Sequence, residues 1–197
     1  MISHSDLIKA INKGCNPFFQ EPKFRLDFYR PGRNAFYYRI NGYSSAINYR
    51  KNDKEKVSVL RWFNDFWLYI EIDFIENDIF ISISVFQGSE NDDKKHQLFR
   101  LEWDDRDNHG ERHPQPHWHI TTDFAISESY KEFVSDEETY ESYELVKKDI
   151  IDIKEIHFAM NGNWHNDDSD VHKIDNEKKI VKWFQGVLNH LRVELSK

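Results

Sequence analysis

The pattern of hydrophobic and polar residues predicts β-strands over most of the segment from residue 24 to residue 124. In Ile79–Phe86 isoleucines and serines alternate, so one face of that strand is apolar and the other is polar. Comparable segments, separated by turn-forming residues, predict six more strands. These strands are Phe24–Arg30, Ala35–Ile40, Tyr43–Arg50, Trp67–Ile75, His96–Asp104 and His117–Phe124. We expect them to form an antiparallel β-meander sheet.

Helical periodicity replaces this alternation at both ends of the chain. Residues 5–13 predict a first helix that ends at Gly14, and residues 175–195 predict a long C-terminal helix with one apolar stripe. Asp149–Met160 is rich in β-branched residues and predicts a further strand. No linker divides the chain. We therefore expect a single α+β domain over residues 1–197, with helices packed on one face of the sheet and the other face available for a site.

Composition supports a folded protein of the cytoplasmic type. Of the 197 residues, 39% are hydrophobic and 15% are aromatic, which is enough to build a core. Cys15 is the only cysteine, which excludes a disulfide framework and a cysteine-based zinc site and is typical of a reducing compartment. No apolar stretch approaches the length that crosses a membrane. We expect a cytoplasmic protein of bacterial type that does not bind membranes.

Positive charge is concentrated in one part of an acidic chain. The net charge is -8, yet residues 22–61 contain ten lysine or arginine residues, three acidic residues and eight aromatic residues. Arginine interleaved with aromatic rings suits a nucleic acid or nucleotide, because the charge binds phosphate and the rings stack on bases. Arg25 and Arg39 are the candidate contacts. The same pattern also fits ordinary strands whose aromatic residues face the core, or a surface that binds an acidic protein.

Histidines are the clearest chemical signal in the sequence. The chain contains ten of them, and two prolines stand just before His117 in the densest run. Proline disfavours a helix there, so we expect an extended strand from His117 onward. On a strand His117, His119 and Asp123 share one face. If the strand predicted before it pairs with this one, Glu102 or Asp104 lies across from the histidines.

A row of this kind supports two kinds of chemistry. His117 and His119 can chelate a divalent ion such as zinc or manganese, with a third ligand from Asp123, His157 or His165. An open position on such an ion favours hydrolysis. Without metal, the two imidazoles can act as general acid and general base on a phosphodiester. The pattern is also compatible with a solvated polar face of a strand that has no chemical role.

The segment His113-Pro-Gln-Pro-His117-Trp-His119 resembles the His-Pro-x-Pro-His-x-His motif of some small bacterial proteins that occur in toxin–antitoxin-like gene pairs. The resemblance covers this motif and the following Ile120, and the present chain is longer than those proteins. It implies that His113, His117 and His119 belong to a site. It also implies a role in toxin action or phage defence, of a nucleolytic kind.

Together these observations lead to two hypotheses of different classes. The first is a hydrolase, either a phosphodiesterase or a nuclease, that uses the histidines with a metal ion or as acid and base. Its catalytic residues are His113, His117, His119 and Asp123, its metal ligands are His117, His119 and His157, and its substrate contacts are Arg112, Arg25 and Arg39. The second is a non-enzymatic interaction module or an antitoxin-like accessory subunit that docks oppositely charged partners.

Overall fold

The computed structural model describes residues 2–20, 23–50, 53–92, 95–104, 116–120 and 176–197. Within these ranges the chain forms two α-helices, a short 3₁₀ turn at Asn16–Phe18 and eight β-strands. The helices are α1 at His4–Cys15 and α2 at Glu177–Leu195. The strands are β1 (Leu26–Gly32), β2 (Ala35–Ile40), β3 (Ser44–Arg50), β4 (Asp53–Phe63), β5 (Phe66–Ile75), β6 (Asp78–Gln87), β7 (His96–Asp104) and β8 (His117–Ile120).

The predicted α+β class is confirmed, and the sequence pattern misses one strand within the described residues. That strand is β4, whose residues 54–56 are charged and exposed, so the alternation that marks a strand is visible only from Val57 onward. The predicted strand Asp149–Met160 lies outside the described residues, as do residues 121–124 of the last predicted strand. A run of charged residues therefore concealed a strand that the rest of the fold requires.

The first helix is longer than predicted, because Gly14 lies inside it rather than at its end. A Cβ atom on residue 14 would lie 2.6 Å from Cγ1 of Val181 in α2, which is too close for two carbon atoms. Gln185 of α2 also donates a hydrogen bond of 3.0 Å to the carbonyl oxygen of Gly14. Glycine at this position lets the two helices pack closely, which offsets its low helix propensity.

All pairs of named strands in the described sheet are antiparallel, and the main path runs β1-β2-β5-β6-β7-β8. Two strands share one edge of β5, since β2 pairs with Glu71–Ile75 and β4 pairs with Phe66–Leu68. β3 pairs with β4, which places this hairpin off the main path. Consecutive strands pair from β3 to β8, and β1 pairs with β2, but β2 pairs with β5 instead of β3. The described sheet is therefore antiparallel, but it is not a simple meander.

One face of the sheet is apolar and packs against the two helices. The register brings Ile72, Ile81 and Trp103 onto this face, and the Trp103 ring lies 5.2 Å from the ring of Trp183 in α2. The predicted apolar stripe of α2 is buried at Ile180, Phe184, Val187, Leu188, Leu191 and Leu195. Among the described residues, no helix has both the length and the apolar character needed to cross a membrane.

The opposite face is polar and carries the β3–β4 hairpin. The backbone N–H of Tyr49 donates a hydrogen bond of 2.6 Å to Oε1 of Gln97 on β7, and Arg100 donates one of 2.6 Å to the carbonyl oxygen of Tyr49. The hydroxyl of Ser84 on β6 donates to Oδ1 of Asn48 at 2.9 Å. These bonds join residues that are far apart in sequence, so they fix the hairpin across the polar face next to β7.

Candidate metal centre

Strand pairing brings two histidines of β8 next to a glutamate of β7. Glu102 lies directly opposite His117, and His119 shares the same face two residues further on. Trp118, between the two histidines, belongs to the other face, where its ring lies 5.8 Å from that of Phe99. The expectation that an acidic residue of the preceding strand lies across from the histidines is therefore confirmed for Glu102.

Three side-chain atoms of this cluster converge. Nε2 of His117 lies 2.7 Å from Nε2 of His119, and Nε2 of His119 lies 2.9 Å from Oε2 of Glu102. The remaining separation, from His117 Nε2 to Glu102 Oε2, is 3.8 Å. The Glu102 and His117 side chains are largely buried, whereas that of His119 is 38% exposed. These three residues can hold a metal ion that would be reached from the His119 side.

The surroundings of Nε2 of His119 distinguish this cluster from an ordinary hydrogen-bonded pair. An imidazole nitrogen carries either one hydrogen or one lone pair, which points in a single direction in the plane of the ring. Nε2 of His119, however, faces both Nε2 of His117 and Oε2 of Glu102. One hydrogen cannot make two linear bonds. A cation between the three atoms would instead accept a lone pair from each of them.

The spacing of the three atoms fits a small divalent ion. Nitrogen and oxygen ligands lie about 2.0–2.2 Å from such an ion, which places neighbouring ligand atoms roughly 2.9–3.5 Å apart. Of the observed separations, 2.9 Å equals the lower limit of that range, 2.7 Å lies just below it and 3.8 Å lies above it. Small rotations of the side chains would therefore equalise them. Two histidines and one carboxylate leave further coordination positions open for water or substrate.

The second oxygen of Glu102 is held by arginine. Nε of Arg100 lies 2.8 Å from Oε1 of Glu102, and Nε of Arg50 lies 3.9 Å from the same oxygen. Burial alone would raise the pKa of Glu102, but the hydrogen bond from His119 and the charges of Arg100, His119 and Arg50 lower it to about 2. The carboxylate is therefore ionised at neutral pH, and its Oε2 is directed at the histidines.

Arg50 connects this cluster to a second buried carboxylate. It forms an ion pair with Glu71 on β5, while Glu71 also lies 3.2 Å from Nη2 of Arg39. Arg39 makes a further ion pair of 2.5 Å with Asp73. The hydroxyl of Tyr69 donates to Glu71 at 3.1 Å. The basic segment 22–61, which supplies Arg39 and Arg50, thus shares the polar face of the sheet with the histidines.

The charges of this network are balanced. Among the residues that the structure describes, three guanidinium groups and three carboxylates take part in the ion pairs of this network. They belong to Arg39, Arg50, Arg100, Glu71, Asp73 and Glu102. A divalent cation added to the histidines would therefore not be neutralised by the network. Its excess positive charge would favour an anionic substrate.

The residues predicted to contact substrate lie in different environments. Arg39 is mostly buried and paired with carboxylates, whereas Arg25 is exposed and pairs with Asp27 at 2.7 Å. Arg112, His113, Asp123, His157 and His165 lie outside the described residues, so their predicted roles stay predictions.

Two residues near Glu102 were missed by sequence reasoning. Arg100 could have been found, because the alternation in β7 places it on the same face as Glu102. Arg50 could not, because it reaches Glu102 only when the β3–β4 hairpin folds across the sheet. The face on which a strand residue lies can be predicted from the local sequence. A contact made by a hairpin that folds across the sheet cannot.

Comparisons with known proteins add no family assignment. The chain matches no protein-family model, no curated protein and no solved structure. The resemblance of His113–His119 to the motif of small toxin–antitoxin-like proteins stays a prediction. The function is therefore argued from the geometry around Glu102, His117 and His119.

Proposed function

We propose that the protein is a metal-dependent hydrolase of phosphodiesters, with a divalent ion bound by Glu102, His117 and His119. The convergence of two imidazole nitrogens and one carboxylate oxygen, with a single nitrogen facing two partners, carries this proposal. Glu102 supplies the third ligand that the sequence suggested at Asp123, His157 or His165. Zinc suits two histidines and one glutamate well, and manganese is the second candidate.

The residues around the ion have separate tasks in this proposal. A bound divalent ion lowers the pKa of a coordinated water and stabilises negative charge on the substrate. Arg100 holds the far oxygen of Glu102 and thereby orients its near oxygen. His117 stays largely buried, while the more exposed His119 marks the side from which substrate enters. The chain thus provides a fixed ligand set with one accessible side.

The preference for a phosphodiester follows from charge. The ion pairs along the polar face balance, so the bound cation supplies the unmatched positive charge that an anionic substrate would meet. Exposed arginines of segment 22–61 extend the positive surface beyond the centre. A nucleic acid or nucleotide is the anion that combines a phosphodiester with bases suited to the aromatic rings of that segment. Such a substrate would agree with the role in toxin action or phage defence that the motif resemblance implies.

The first test of the proposal is the metal content of protein purified without a histidine tag. Elemental analysis should give close to one zinc or manganese ion per chain, or full binding after the ion is added back. The ion should be lost in His117→Ala/His119→Ala and retained in His190→Ala, a control that removes a histidine of α2. A folded wild-type protein that binds no divalent ion would contradict the metal centre and leave acid–base catalysis by the histidines.

The second test is hydrolysis of a small chromogenic phosphodiester. Wild type and His190→Ala should hydrolyse it, and chelation or His117→Ala/His119→Ala should abolish the activity. If the metal binds and no phosphodiester or oligonucleotide is hydrolysed, the hydrolase proposal is wrong and the non-enzymatic interaction module is favoured. Activity that survives complete removal of metal would instead assign the reaction to the imidazoles alone.

A further inference from the structure

The β1–β2 hairpin, Leu26–Ile40, presents aromatic side chains to solvent. Every residue from 28 to 32 is exposed, and the side chains of Phe28 and Tyr29 are 51% and 61% exposed. A bulge between Phe28 and Arg30 interrupts the pairing with β2, and the inserted residue is Tyr29. Exposed large apolar side chains that are grouped together often mark a binding surface. The hairpin is therefore a candidate binding surface.

Arginine and tyrosine side chains stack on one another along this hairpin. The guanidinium of Arg30 lies 5.0 Å from the centre of the Tyr37 ring and 5.8 Å from that of Tyr29. Arg39 lies 5.6 Å from the Tyr29 ring. Such cation–π contacts hold planar groups in fixed positions. The Tyr29 side chain is still 61% exposed. The result is a small platform made of Tyr29, Arg30 and Tyr37.

The platform also carries positive charge that its surroundings do not neutralise. In the part of the chain that the structure describes, neither Arg30 nor Arg33 forms an ion pair with a carboxylate, in contrast to Arg25 and Arg39. Unmatched guanidinium groups beside an exposed ring bind phosphate and base together. An acidic protein would use the charges but would not require the exposed ring.

The platform lies on the same face of the sheet as the metal centre. The register aligns Arg39 with Glu71, Glu71 with Ser82, Ser82 with Glu102 and Glu102 with His117. This row crosses four gaps between neighbouring strands, and β1, which carries Tyr29 and Arg30, adds a fifth. Five gaps span about 24 Å at a spacing of ~4.8 Å. A chain of a few nucleotides covers that distance. One nucleic-acid strand held at the hairpin therefore reaches the histidines.

We infer that the β1–β2 hairpin binds single-stranded nucleic acid, with a base stacked on Tyr29 and backbone phosphates held by Arg30 and Arg33. A single strand is favoured over a duplex, because only unpaired bases offer a face to an exposed ring. The inference rests on the proposed function in that it names the substrate of the same site. Binding at the hairpin does not itself need the metal ion, so the two can be tested separately.

The test is fluorescence anisotropy of short labelled single-stranded DNA and RNA at low salt. Tyr29→Ala should weaken binding about tenfold, since a base stacked on an aromatic ring contributes strongly to affinity. Arg30→Ala should weaken binding and lower the salt dependence by about one phosphate contact. Phe28→Ala is the matched control, because Phe28 is also more than half exposed but packs against Tyr38 on the other face, with ring centres 5.7 Å apart. It should bind within twofold of wild type once its fold is verified by its Tm.

Several outcomes would overturn the inference. Equal affinity of Tyr29→Ala and wild type would exclude stacking at the hairpin, and equal affinity for the matching duplex would exclude single-strand recognition. Displacement of the oligonucleotide by an acidic peptide at similar concentration would assign the hairpin to a protein partner. In the His117→Ala/His119→Ala background, Tyr29→Ala should weaken oligonucleotide binding by the same factor as in the wild-type background, because the hairpin contacts do not involve the metal ion. Loss of metal with a retained effect of Tyr29→Ala thus separates failure of the centre from failure of the hairpin.

Discussion

The two faces of this sheet are built from the same strands but depend on different interactions. On the apolar face, side chains such as Trp103 and Ile81 pack against each other and against the helices. Each apolar side chain therefore contacts several apolar neighbours. On the polar face, each charged group depends on particular partners, as Glu71 and Glu102 depend on Arg50. Packing tolerates exchange of similar volumes, whereas buried ion pairs do not tolerate loss of one member. We therefore expect stability to depend mainly on the first face and chemistry on the second.

The largest effect is expected on the apolar face. Trp103 is 2% exposed and packs against α2, so Trp103→Ala should lower the free energy of unfolding by about 3–5 kcal/mol. Urea denaturation followed by circular dichroism measures this change. Val193→Ala, which removes an exposed residue of α2, should change stability by less than about 0.5 kcal/mol. A loss below about 1 kcal/mol in Trp103→Ala would mean that the helices do not depend on this contact.

Glu102→Gln should weaken metal binding strongly. The amide has nearly the volume of the carboxylate but lacks its charge, so the affinity for zinc should fall by at least about 100-fold. The Tm should fall as well, because the buried guanidinium of Arg100 loses its carboxylate partner. Isothermal titration calorimetry measures the affinity, and differential scanning calorimetry measures the Tm. Glu90→Gln, at an exposed glutamate that pairs with Arg61, is the control that keeps zinc affinity. Unchanged affinity in Glu102→Gln would remove this residue from the ligand set.

Arg50→Met should destabilise the polar face. It removes an ion-pair partner of Glu71, whose side chain is 3% exposed, so the free energy of unfolding should fall by about 2 kcal/mol. Adding Glu71→Gln should restore part of the loss, because the uncompensated charge is then absent. The double-mutant cycle is measured by urea denaturation. Additive effects of the two substitutions would show that Arg39 and Tyr69 satisfy Glu71 without Arg50.

The smallest effect concerns Cys15, the last residue of α1, whose side chain lies in the core. Burial raises the pKa of its thiol to about 12, and the side chain is fully buried. Because the thiolate is the reactive form, the native protein should react very slowly with a thiol reagent at pH 8 and rapidly after denaturation. Time-resolved absorbance with a chromogenic disulfide measures both rates. Fast reaction in the native state would indicate that the N-terminal helix opens easily.

The sequence predicted the candidate centre where the interactions are local. Alternation along β8 places His117 and His119 on one face, and its pairing with β7 adds Glu102. Both steps follow from strand geometry and need no knowledge of distant elements. For the same reason the α+β class and the apolar stripe of α2 were predicted correctly.

Prediction failed where distant parts of the chain meet. The close approach of the helices at Gly14 reversed the expectation that this glycine ends α1. The charged start of β4 concealed a strand whose second half pairs with β5. The position of Arg50 depends on a hairpin folding across the polar face. In each case a tertiary contact, rather than a local preference, decides the structure.

The shared edge of β5 also constrains the order in which the chain can fold. β5 and β6 pair over their whole length across a short turn, so this hairpin forms from local contacts and can form early. β4 also joins β5 across a short turn, at Phe66–Leu68, whereas β2 pairs with the same edge at Glu71–Ile75 from a greater distance in sequence. If either strand slid along that edge, it would occupy the position of the other. Each of these two strands therefore limits the registers in which the other can pair with β5. The correct register of one strand is thus required for the correct register of the other.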